Sequence, residues 1–157
     1  MAQGSNHNTG SKQLVILLIE NDPAAAFLTK EALKEAGLHE SVTSVRDGEE
    51  ALALLRSLEK QDDLARPDVI FLDLHLPRES GLEVLEEIKG NRTWAATPVI
   101  VVSGSSNPQE VRRAYELHAS CFIRKPDELD ELLRFMRVCY EFWGSVVTLP
   151  EQAATRG

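Results

Sequence analysis

Hydrophobic and polar positions alternate between two patterns along this chain. Residues 14–19, 69–72 and 99–102 are continuous apolar runs, as expected of parallel strands buried on both faces. Residues 41–45 are less apolar, with Val42 and Val45 flanking polar positions, which suits an edge strand; residues 120–124 form a fifth candidate. Between these runs, apolar residues recur at helical spacing. Residues 23–36 open with Asp22 as a cap and Pro23 at the first helical position, and close at Gly37. Residues 47–60 carry Ala51, Leu52, Leu55 and Leu58 on one face. Residues 82–89 carry Leu82, Leu85 and Ile88 and stop at Gly90, and residues 108–117 and 128–143 complete the set. Strict alternation with short connections predicts right-handed crossovers and an α/β fold. Its core would be a doubly wound, five-stranded parallel sheet in the flavodoxin-like order 2-1-3-4-5. The ligand crevice of that order lies beyond the carboxyl ends of the first, third, fourth and fifth strands.

Composition narrows the picture only a little. Residues 1–12 are polar and aperiodic, the pattern of a disordered arm; residues 13–147 fit one domain and residues 148–157 a tail. With 43% hydrophobic and 27% charged residues, the chain can bury one ordinary core. A net charge of −8 opposes binding to a nucleic-acid backbone. No apolar run is long enough to cross a bilayer, and no leader is expected, so membrane association is not. Cys121 and Cys139 lack a CxxC or His-Cys companion and read as packed hydrophobes in a reducing cytoplasm.

Chemistry collects where the topology predicts a crevice. The first strand ends in Glu20-Asn21-Asp22 and the third in Asp73-Leu74-His75-Leu76-Pro77, with Gly81 shortly after. The fourth ends in Ser103-Gly104-Ser105-Ser106 and the fifth in Lys125-Pro126. Four strand ends thus deliver carboxylates, a hydroxyl and an ammonium to one place. Over roughly residues 14–143 this ordered set resembles the receiver domain of two-component response regulators. The resemblance implies that Asp73 is the phosphoacceptor, that Mg²⁺ (or Mn²⁺) is required, and that Ser103, with Gly104, and Lys125 bind phosphoryl oxygens. It also implies a cis peptide at Lys125–Pro126, and an aromatic switch at Phe122 that turns inward behind Ser103. On this reading the chain is a signalling protein, catalysing at most its own phosphorylation and dephosphorylation.

Elementary electrostatics supports those roles. An aspartate that accepts a phosphoryl group must first let two anions approach. At about 4 Å and an effective dielectric of ~20, like unit charges repel by roughly 4 kcal/mol. A divalent cation removes that penalty, and Mg²⁺ favours one or two carboxylates, a carbonyl, waters and substrate oxygens. Glu20, Asn21, Asp22, Asp73 and the backbone carbonyl of His75 could supply such a shell. The family's direct acidic ligand corresponds to Asn21, so one negative charge is missing there. Asp22 keeps a charge nearby, or serves only as a helix cap. Asn21 therefore also favours a pseudo-receiver, a docking protein that is never phosphorylated. A dehalogenase-like phosphatase would need a second Asp where His75 stands, and a flavin site would need a phosphate-cradling loop where the acidic cluster stands.

Two further features bear on partners and backbone. On a helical wheel of residues 128–147, Leu129, Leu132, Leu133, Met136, Tyr140, Trp143 and Val147 form one apolar stripe. Phe135, Val138, Cys139, Phe142 and Val146 form a second, about 120° away, more than docking to a sheet requires. That surplus predicts a homodimer through the last helix and the tail after Ser145. Phe142-Trp143 followed by Leu149-Pro150, with the segment from Arg66 to Asp73, resembles regulators that serve phytochrome-type histidine kinases. The resemblance implies a light-sensing kinase as partner. His118 stands where the family has glycine, and a left-handed backbone there would be strained.

Overall fold

A computed structural model describes residues 14–35, 41–61 and 66–151. The expected arm and most of the tail after residue 151 lie outside the described residues, as does Gly37. The elements are β1 (Ile16–Ile19), α1 (Pro23–Glu35), β2 (Val42–Val45), α2 (Gly48–Glu59) and β3 (Val69–Leu72). They continue as α3 (Gly81–Gly90), β4 (Val99–Ser103), α4 (Pro108–Glu116), β5 (Cys121–Arg124) and α5 (Leu129–Glu141), followed by a π-helical turn (Phe142–Val146). All strand pairs are parallel and the order is β2-β1-β3-β4-β5, as the alternation predicts.

Two cores flank the sheet. Alternate residues of β1, β3 and β4 face α1 and α5 on one side: Ile16, Leu18, Val69, Phe71, Ile100 and Val102 meet Ala32, Leu33, Leu132, Met136 and Tyr140. Their neighbours face α2, α3 and α4 on the other side, where Leu17, Ile19, Leu72 and Val101 meet Leu55, Leu85 and Ala114. This two-sided burial is why those three strands read as unbroken apolar runs. Phe71 and Tyr140 pack edge to face at 5.5 Å.

Local chemistry fixes the helix ends. Asp47 Oδ1 accepts the Glu50 N–H at 2.8 Å while Glu50 Oε2 accepts the Arg46 N–H at 3.1 Å, a reciprocal cap on α2. Helix α4 ends in a Schellman closure: Ala119 N–H bonds Ala114 O at 3.0 Å and His118 N–H bonds Tyr115 O at 2.9 Å. His118 occupies the left-handed position, at φ 71°, which meets the condition under which strain was expected there. Arg78, also left-handed at φ 69°, was not foreseen. The regular part of α5 stops two residues short of Trp143. There the Ser145 hydroxyl bonds the Glu141 carbonyl and the backbone widens into the π turn. Among the described residues, no helix is long and apolar enough to cross a membrane.

Candidate functional site

Each carboxyl end of the central strands places one functional group. Glu20 follows β1, and its N–H is held by Val45 O at 3.0 Å. Asp73 follows β3, its N–H on Ile19 O at 3.0 Å, so adjacent strands set the two carboxylates side by side. Ser103 ends β4 and is wholly buried. Lys125 follows β5, with its N–H on Ser103 O at 2.7 Å. Its side chain reaches across the sheet end, placing Nζ 2.8 Å from Glu20 Oε1 and 3.7 Å from Asp73 Oδ2. Glu20 and Asp73 are only 4% and 7% exposed, so the ammonium sits between two nearly buried anions.

The electrostatics follow from that placement. Burial pushes the Glu20 carboxyl above its usual range; the Lys125 bond opposes this, and the Asp73 charge reinforces it. Glu20 Oε1 also accepts the Asp22 N–H at 3.1 Å, and Asp73 Oδ1 accepts the His75 N–H at 3.0 Å. Those bonds fix the rotamers, and Asp73 Oδ2 is the oxygen that lies 3.7 Å from Lys125 Nζ. Gly81 closes the loop behind Asp73: its N–H bonds Leu74 O at 2.9 Å, and a Cβ there would lie 2.4 Å from Asp73 O. Only glycine permits that approach.

The sequence-derived residues divide unevenly. Glu20, Asp73 and Lys125 converge, and Ser103 ends the neighbouring strand with its Oγ accepting the Ser105 N–H at 3.3 Å. Asn21 is exposed beside them, the His75 side chain points to solvent, and Gly104 is exposed. Asp22 does not join the carboxylate pair, because Oδ1 accepts the Ala24 N–H at 3.0 Å and caps α1. Among the described residues, no three His, Cys, Asp or Glu side chains gather to hold a metal. What remains suits a hard cation that completes its shell with water and substrate: two carboxylates, a neighbouring amide and a backbone carbonyl.

Expectations for one peptide bond and for both faces of α5 need correction. The Lys125–Pro126 peptide is trans. Trans is the lower-energy isomer of an X–Pro bond by about 0.5–1 kcal/mol, and here it already lets Lys125 reach both carboxylates. On α5, Cys139 leaves the outer stripe and packs half-buried against the α1-side core. It lies about 70° from the centre of the sheet-facing stripe, on its shoulder. Phe135 is also half-buried, so the exposed stripe reduces to Val138, Phe142 and Val146, at 61%, 48% and 70% exposure. Leu129, expected to face the sheet, is exposed in the first turn of α5.

Phe122 is half-buried and packs against the α4-side core. Its backbone partner has no signature in the sequence: Phe122 N–H donates to the Tyr115 hydroxyl of α4 at 3.1 Å.

Residues 16–137 match the model of the response regulator receiver domain. Response regulator Rcp1 of Synechocystis sp. is 38% identical over 136 residues, covering 87% of this chain and 92% of that protein. Among solved structures, the phosphorylated cyanobacterial phytochrome response regulator RcpA superposes with a TM-score of 0.83 at 40% identity, covering 88% of this chain and 99% of that one. The Mn²⁺-bound form of Rcp1 superposes with a TM-score of 0.80 at 38% identity, covering 87% and 99%.

Proposed function

Because this chain belongs to the response regulator receiver family, we propose that it accepts a phosphoryl group on Asp73 from a histidine kinase and signals through protein contacts. The observation that carries this reading is the position of Lys125 Nζ, 2.8 Å from Glu20 and 3.7 Å from Asp73, at the joint end of β1, β3 and β5. An Asp73 Oδ atom would attack phosphorus as the phosphohistidine P–N bond breaks, and the released electron pair stays on the imidazole. Lys125 and the Ser103 hydroxyl would bind the transferred oxygens, with Gly104, whose missing side chain leaves that loop open. Glu20, Asn21, Asp73 and the His75 carbonyl would hold Mg²⁺ or Mn²⁺, consistent with the Mn²⁺-bound relative. Such a cation neutralises the repulsion between carboxylate and phosphoryl group.

The relatives Rcp1 and RcpA support a phytochrome-type kinase as donor, since RcpA is a phytochrome response regulator. The exposed stripe of Val138, Phe142 and Val146 supports a homodimer through α5 and the π turn. Phe142→Asp should then yield monomers in sedimentation velocity, and a wild type that is already monomeric would remove the dimer. The primary test is incubation with acetyl phosphate and Mg²⁺. Intact mass should rise by one phosphoryl group in the wild type and stay unchanged in Asp73→Asn. No gain in the wild type, even at high donor concentration, would leave a docking protein that is not phosphorylated.

A further inference from the structure

Helix α4 is lightly attached. Ala114 is its one fully buried residue, and its remaining positions are mostly charged or polar. Its C-terminal closure instead fixes Tyr115, whose carbonyl is held by His118 N–H at 2.9 Å. Tyr115 is 48% exposed, and its hydroxyl accepts the Phe122 N–H at 3.1 Å.

That N–H is an unusual donor. Among the described residues, strand β5 is an edge, pairing only with β4. Lys125 N–H points inward to Ser103 O, and direction alternates along a strand, so Phe122 N–H points outward from the sheet. On an open edge water would normally satisfy it. Here a side chain from α4 does, at the residue whose ring packs against the α4-side core beside Val101, its register partner.

We propose that Tyr115 is a positioning residue that couples Phe122 to α4. The inference rests on the reading of Asp73 as phosphoacceptor and Ser103 and Phe122 as the responding pair. Closing of Ser103 onto a phosphoryl group changes the space behind it, and Phe122 follows. The hydroxyl pins the Phe122 backbone to α4, so a shift of that residue displaces the helix. Without the hydroxyl, the ring still moves, but α4 no longer registers it. Capping of an otherwise open edge is the merely structural role, and it would leave the response of α4 intact.

The test compares wild type with Tyr115→Phe, which keeps the ring and frees a donor that water reaches. Amide exchange and backbone amide spectra are recorded with and without Mg²⁺ plus beryllofluoride. In the resting variant, exchange at Phe122 should quicken about tenfold, as expected for loss of one hydrogen bond. On adding the mimic, resonances of Ser103 and Phe122 should shift in both proteins, while the shifts over residues 108–116 should fall by at least half in the variant. Equal α4 shifts in both proteins would overturn the coupling and leave the phosphoacceptor reading standing. Absence of any response at Ser103 in the wild type would overturn the phosphoacceptor reading, and the coupling with it.

Discussion

Gly81→Ala tests how rigidly the loop behind Asp73 is held. A Cβ at position 81 would lie 2.4 Å from Asp73 O and 2.5 Å from Leu74 Cα, both backbone atoms that cannot rotate away. Ordinary contact begins near 3.4 Å, so the loop must retreat by about 1 Å. The Gly81 N–H to Leu74 O bond would stretch with it, and Leu74 is buried. Overpacking of this kind costs about 1–3 kcal/mol. At about 2–4 °C per kcal/mol for a chain of this size, a mid-range cost lowers Tm by about 4–8 °C. The displaced backbone also carries Asp73 and the His75 carbonyl, and a shift of about 1 Å at a reacting group can cost up to ~100-fold in rate. The initial rate of mass gain from acetyl phosphate should therefore fall at least tenfold. Gly104→Ala and Gly90→Ala are the stability controls, because a Cβ at either position meets nothing within 4 Å. Neither should lower Tm by more than about 1–2 °C. If Gly81→Ala melted within a degree of wild type and was phosphorylated at the same rate, the loop would be pliable, and the account of how Asp73 is positioned would be wrong.

Other substitutions probe the remaining strained or unpaired groups. His118→Gly relieves a left-handed backbone at φ 71°. A residual gain of about 0.5–1 kcal/mol in urea unfolding is expected after glycine's own flexibility is subtracted. The Tyr140 hydroxyl is buried without a hydrogen-bond partner among the described residues. Tyr140→Phe should therefore raise stability by about 1 kcal/mol, read as an increase of about 2–4 °C in Tm. Burial, with Cys121 nearby, pushes the Cys139 thiol up to about 11 from 9.0. Alkylation of Cys139 at pH 8 should accordingly be at least tenfold slower in the folded protein than in urea. Since the folded value is the higher one, the stability this thiol contributes is intact below pH 9 and is lost as pH rises toward 11. Equal alkylation rates would place Cys139 in solvent.

The strands and their order were legible because burial on both faces leaves an unbroken apolar signature in β1, β3 and β4. The convergence of Glu20, Asp73 and Lys125 followed from topology, since parallel strands bring their carboxyl ends together whatever the intervening sequence. Features that depend on competition between local bonds were harder to read. Asp22 could serve cap or notch, and only the geometry shows its Oδ1 on Ala24 N–H. Cys139 sits on the shoulder of the wheel, where a few tens of degrees separate core from surface. The trans bond before Pro126 turns on less than about 1 kcal/mol, below what a two-residue motif encodes. Tyr115 and Phe122 lie seven residues apart in different elements, and no periodicity joins a side-chain hydroxyl to an edge N–H.

Asn21 alters the charge of the proposed notch as well as its ligands. With Glu20 ionised, two carboxylates and the Lys125 ammonium leave one net negative charge; an aspartate at position 21 would make it two. Once a divalent cation is bound, the notch is net positive with Asn21 and neutral with aspartate. Asparagine should thus weaken the cation yet leave the loaded notch more attractive to a phosphoryl anion. One unit charge at about 4 Å is worth up to roughly 4 kcal/mol at an effective dielectric of ~20, and exposure of Asn21 screens it to a fraction of that. Asn21→Asp should then move two observables in opposite directions. The Mg²⁺ concentration for half-saturation should fall at least tenfold, while the rate of phosphorylation at saturating Mg²⁺ should fall severalfold. A variant that bound Mg²⁺ more tightly and was also phosphorylated faster at saturation would show that Asn21 is simply a poorer ligand. A variant unchanged in both would place the cation beyond its reach.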